Sequence, residues 1–158
     1  MSTTQLSVRW TGEELNYIGT DSKGNQLQIG GQSLSPGQMV LLGLASCMGM
    51  DVVSILKKKQ QQISDVEVEI IAHQPDKHPR LYETVEVHFT VKGENVESKA
   101  VARSIELSRD RYSIVGHTFQ RAVDLKTSFA VKKDYIPEHS EPFFPPTGYA
   151  ALDEWWGA

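Results

Sequence analysis

From Ser35 to Lys59 the chain carries its strongest constraint: a helix start followed by an apolar segment, Met39 to Leu56, with almost no polar face. Ser35 suits an N-cap and Pro36 the first helical position, where a missing N–H costs nothing. Lys57, Lys58 and Lys59 then meet the negative end of the helix dipole. The spacing predicts a helix over roughly 35–60. A helix apolar on nearly every face has to be covered by a sheet on one side and by something else on the other. Gly43, Gly49, Asp51 and two serines interrupt the run, so it reads as a buried core helix and not as a membrane span.

The flanking segments supply the sheet. Leu6, Val8 and Trp10 alternate, Gly12, Gly19 and the stretch 21–25 punctuate, and Leu27 and Ile29 alternate again, which predicts two or three short antiparallel strands. After the helix, Val66, Val68 and Ile70 alternate. A turn region follows from His73 to Pro79, and then a long strand with Val85, Val87, Phe89 and Val91 on one face. Residues 96–108 return to helical spacing through Val101 and Ile105. Ser108 to Ser113 is a polar break, Val115, Phe119 and Val123 mark a short helix, and Leu125, Thr127, Phe129 and Val131 a last strand. This order predicts an α+β fold with a mostly antiparallel sheet and a long buried central helix. No glycine-rich loop joins a strand to a helix, so neither a dinucleotide fold nor a phosphate loop is supported.

The chain of 158 residues reads as a domain over 1–135 and a tail over 136–158. Four prolines bar regular structure in the tail, while Phe143, Phe144, Tyr149, Trp155 and Trp156 suit docking on its own domain or on a partner subunit. A net charge of −4 with scattered basic residues gives no footprint for nucleic acid. The N-terminus lacks a basic region followed by an apolar stretch, so no secretory signal is expected. With one free cysteine, this fits a reducing, cytoplasmic setting and no membrane.

That cysteine, Cys47, is the only one in the chain and cannot form an internal disulfide. It lies about 18 Å of helix beyond the N-cap, too far to gain from the positive dipole end. Asp51, one turn on, shares its face, and a carboxylate there disfavours the thiolate. On the residues alone, Cys47 reads as a small buried hydrophobe. The histidines, His73, His78, His88, His117 and His139, form no pair at metal-site spacing, so no metal is expected. Gly43 to Ser46 lies within a helix and is no nucleophile elbow.

Ser35-Pro36, Leu44-Ala45-Ser46-Cys47 and Met50-Asp51-Val52-Val53-Ser54-Ile55-Leu56-Lys57-Lys58 together resemble the central-helix signature of the OsmC-like family, which includes the organic hydroperoxide resistance (Ohr) proteins. Ala102, Ile105, Leu107, Ser108, Tyr112, Ser113 and Gly116 resemble its second motif. The resemblance covers about 5–132 and implies an intertwined α+β homodimer with the central helices at the interface. It gives Cys47 the position of the peroxidatic nucleophile. The family's resolving cysteine is matched by Ser113, the glutamate of the Ohr branch by Gly37, and the loop from Thr11 to Gln28 holds Lys23 but no arginine, Arg9 being the nearest. The resemblance therefore implies the general OsmC-like branch: a stress-related protein, at most a one-cysteine hydroperoxide reductase served by an external thiol, without metal or organic cofactor. The alternative is a non-enzymatic dimer that binds an apolar small molecule.

Overall fold

The computed structural model describes residues 1–134; the aromatic tail and His139 lie outside the described residues. The chain order is β1 (Leu6–Trp10), β2 (Tyr17–Asp21), β3 (Gln26–Ile29), α1 (Pro36–Lys58), β4 (Gln62–His73), β5 (Thr84–Glu94), α2 (Ser98–Leu107), a π-helical turn (Ser108–Tyr112), α3 (Ile114–Phe119) and β6 (Asp124–Lys133).

Local chemistry sets the bounds of α1. Ser35 Oγ accepts the Gln38 N–H at 3.3 Å while Gln38 Oε1 accepts the Ser35 N–H at 2.8 Å, a reciprocal capping box behind Pro36. At the other end Lys57 and Lys58 occupy the last turn, and Gln60 takes a positive φ of 56° that stops the helix.

The strands form two separate three-stranded sheets, β1-β2-β3 and β4-β5-β6, not the single sheet expected from the pattern. β4 and β5 run antiparallel from Gln62 opposite Glu94 to His73 opposite Thr84. β6, however, pairs with β5 in parallel, Thr84 beside Asp124 and Val91 beside Val131. The reason is the connection: α2, the π turn and α3 carry the chain back to the starting end, as a helical crossover must.

The core lies between α1 and the second sheet. Leu44, Met48, Val52 and Leu56 of α1 meet Val85, Val87, Phe89 and Val91 of β5, with Val101 and Ile105 of α2 closing one side. Phe89 is fully buried at the centre. Phe89→Ala is expected to cost about 3–5 kcal/mol, read as a lower urea midpoint at unchanged slope.

Two surfaces of the single chain remain open. Only one face of α1 is covered; Val40, Leu42 and Met50 are 46%, 47% and 73% exposed. By length and composition α1 is long and apolar enough to cross a membrane, contrary to the reading of its interruptions, yet its other face is built into the core. The N-terminal sheet packs chiefly on itself, leaving Leu6, Val8, Trp10 and Leu27 exposed. A three-stranded sheet without a covered face lacks what normally stabilises one.

Candidate active site

Cys47 is half-buried in the middle of α1, and its Sγ faces the segment between α2 and α3. Ser113 Oγ, from 66 positions later in the chain, donates a hydrogen bond to Sγ at 3.2 Å. Ser113 is fully buried. It is also the N-cap of α3, its Oγ accepting the Gly116 N–H at 3.0 Å, so its hydroxyl proton is directed at sulfur. A Cβ on Gly116 would sit 3.0 Å from Ser113 Oγ, so a larger residue there would press on the serine.

The π turn explains how Ser113 arrives there. In an α-helix residues five apart point about 140° away from each other. Here the Ser113 N–H bonds the Ser108 carbonyl at 2.9 Å, an i→i+5 closure that stacks the two serines on one side. Both then reach α1. Ser108 Oγ donates to Asp51 Oδ2 at 3.0 Å, one turn beyond the Ser113–Cys47 contact. The carboxylate that the spacing placed against the thiol is thus partly answered by its own donor. What reads as a polar break in the sequence is the part of the fold that equips the cysteine. Serines at both ends of the break were the available signal; the π register was not.

Two of the turn's three charged residues pair with each other. Arg109 grips Asp110 through Nε–Oδ1 at 2.6 Å and Nη2–Oδ2 at 2.9 Å. This hydrogen bonding holds the Asp110 carboxyl below its ordinary range, helped by the charge of Arg109 and by His117 and Arg103.

Among the described residues no lysine or arginine hydrogen-bonds to Sγ. Arg9 and Lys23 are exposed on the N-terminal sheet. Gly37 is filled from elsewhere: a Cβ there would lie 2.8 Å from the Tyr82 hydroxyl, so a larger residue would have to displace Tyr82. Among the described residues no histidine hydrogen-bonds to the thiol. His73 meets Glu86 at 3.3 Å, His88 Nδ1 lies 2.7 Å from Ser128 Oγ, and His78 and His117 are exposed. Among the described residues no group of His, Cys, Asp or Glu is arranged to hold a metal ion.

Beside the site runs an apolar groove of about 870 Å³ between α1 and β4, lined by Leu42, Ala45, Met50, Val53, Val66 and Val68. Cys47 faces away from it, toward Ser113.

Ser113→Ala is expected to slow alkylation of Cys47 roughly five-fold, the effect of removing a hydrogen bond of ~1 kcal/mol that positions Sγ. The lost cap should lower stability by about 1 kcal/mol in addition. Iodoacetamide kinetics and urea unfolding separate the two.

Comparison with known proteins places the chain in a family. The chain is 35% identical over 131 residues to Protein YhfA of Escherichia coli strain K12, covering 80% of this chain and 97% of that one. A crystal structure from Aquifex aeolicus VF5 superposes with a TM-score of 0.79 at 30% identity, covering 85% of this chain and all of the other. The organic hydroperoxide resistance protein OhrB of Bacillus subtilis shares the fold, with a TM-score of 0.56 at 14% identity over 82% of this chain and 98% of that one. The model of the family described as OsmC-like protein matches residues 29–128, across α1, the second sheet and the Cys47–Ser113 contact, and the chain belongs to that family.

Proposed function

We propose that this protein is a one-cysteine hydroperoxide reductase of the stress-response type, with Cys47 as its nucleophile and an external thiol as reductant. The observation that carries the reading is the hydrogen bond from buried Ser113 to Sγ. Sulfur is the atom that attacks a peroxide, and a buried O–H aimed at it fixes the direction the sulfur presents. The Cys47 thiolate takes the terminal oxygen of the hydroperoxide, breaking the O–O bond. It becomes a sulfenate, and the remainder leaves as an alcohol. With Ser113 where a second thiol would stand, reduction has to come from outside the chain. Such a cycle suits the reducing cytoplasm. An assay of organic hydroperoxide consumption with a small dithiol tests the reading; turnover dependent on both reagents supports it, and a rate equal to the protein-free control rejects it.

We further propose a homodimer. The open face of α1 exposes Val40, Leu42 and Met50, and the uncovered N-terminal sheet exposes Leu6, Val8, Trp10 and Leu27, the kind of grouped apolar surface that marks an interaction site. A second copy is the partner a family of intertwined dimers implies.

The groove along α1 favours the second reading, a non-enzymatic dimer holding an apolar small molecule. Native mass spectrometry of freshly purified protein discriminates: a reproducible bound molecule favours it. A bare dimer that consumes peroxide excludes it.

A further inference from the structure

Over Ser113 lies an open surface hollow of about 460 Å³, lined by exposed Arg111, Tyr112, His117, Thr118 and Arg121 and by buried Ser113. Its charge is one-sided. No carboxylate lines it, and among the described residues neither Arg111 nor Arg121 forms an ion pair. The nearest acid along the chain, Asp110, has both oxygens taken by Arg109. Arg111 is steadied over the Tyr112 ring at 5.6 Å, which leaves the guanidinium edge free to bond. A chain with a net charge of −4 has no bulk reason to gather two arginines and an imidazole around one hollow. Guanidinium forks match carboxylates in geometry and charge. One residue joins this hollow to the thiol: Ser113 lines it and touches Cys47 Sγ.

Building on the nucleophile reading above, we propose that this cavity is the docking site for a small carboxylate-bearing thiol, the reductant of oxidised Cys47. The thiol's carboxylate is held by Arg111 and Arg121, and its sulfur reaches Cys47 once the buried Ser113 side chain, which separates the hollow from Sγ, turns aside. The thiol attacks the Cys47 sulfenic acid. A sulfur–sulfur bond forms, the sulfenic S–O bond breaks, and the oxygen departs as water with the thiol's proton. A second molecule of the same thiol then attacks the outer sulfur of the mixed disulfide. It releases the small disulfide and returns Cys47 as the thiolate, the two thiols having supplied both electrons.

The test uses thiol–disulfide exchange at Cys47 in the full chain, which needs no peroxide. The probes are 5,5′-dithiobis(2-nitrobenzoate), carrying carboxylates, bis(2-hydroxyethyl) disulfide, which is neutral, and cystamine, which is cationic. The wild type is compared with Arg111→Gln, Arg121→Gln and the double variant. The ratio of the anionic to the neutral rate is expected to fall roughly five- to ten-fold in the double variant, about what exposed charge contacts contribute. The cationic-to-neutral ratio should rise, and added salt should shrink both differences. Ratios unchanged by the substitutions, or a Cys47 that exchanges with none of the probes, would overturn the proposal. Sulfenate trapping on the same samples keeps the two readings apart. Sulfenate formed without anion selectivity rejects only the docking site. Selectivity without any sulfenate rejects the peroxidase and leaves an anion site beside an exchangeable thiol.

Discussion

Cys47→Ser is expected to reduce organic hydroperoxide consumption to the level of buffer and reductant alone. Because the chain has no second cysteine, no other thiol in it can take the peroxide oxygen and be returned by a thiol reductant. The loss is therefore the whole enzymatic increment, which for enzymes is generally of order 10⁶-fold or more. A hydroxyl in place of the thiol is close in size and can still accept from Ser113, so the fold should lose no more than about 1 kcal/mol. Circular dichroism and urea unfolding check that the variant is folded. A folded variant that still turns over peroxide would move the chemistry away from this site.

The second large effect concerns assembly. Introducing charge on the open face of α1 through the pair Leu42→Glu and Met50→Glu is expected to convert a dimer into monomers. Both side chains line the apolar groove, and Met50 is the more exposed. If a second copy covers that face, each carboxylate would have to be buried there unpaired, at a cost of several kcal/mol. Dissociation constants should rise by roughly two orders of magnitude or more. In the single chain neither residue belongs to the fully buried core, so the monomer should remain folded. Light scattering after size exclusion reads the result: wild type at twice the chain mass, the double variant at once. A wild type that elutes as a monomer would leave the apolar face of α1 to a ligand or to another partner.

The parts of this fold written in local chemistry were legible in the sequence. Ser35-Pro36 set the start of α1 through a capping box, and strict alternation gave β5 its inner row of Val85, Val87, Phe89 and Val91. The hydrophobic face of α2 followed from four-residue spacing, and so did α3 as far as Phe119, although Val123, expected on the same helix, falls in the turn beyond it. What was hidden depended on contacts far apart in the chain. The parallel pairing of β5 with β6 is set by the path of the crossover, which no strand pattern records. The single expected sheet became two because the alternating residues of β1 carry no information about which surface they cover. The expectation that α1 would be surrounded holds on one side of the single chain and is unmet on the other.

The candidate site shows the same division. Cys47 could be singled out as a lone thiol, and local rules left it inert because no activator lay near it in sequence. Ser113, matched to the resolving cysteine through the family resemblance, looked like a missing part. In space it is the group that addresses the sulfur, and the π turn that delivers it was indistinguishable from a polar loop. Likewise Gly37 looked like a lost glutamate, whereas the Tyr82 hydroxyl takes up the adjoining space.

The claim that Cys47 is a working nucleophile is tested most directly by intact-mass analysis. Purified protein is exposed to an organic hydroperoxide in the presence of a sulfenic-acid trap. The account predicts one trap adduct per chain, located at Cys47 and absent from Cys47→Ser. An unmodified chain after exposure to excess peroxide would contradict it.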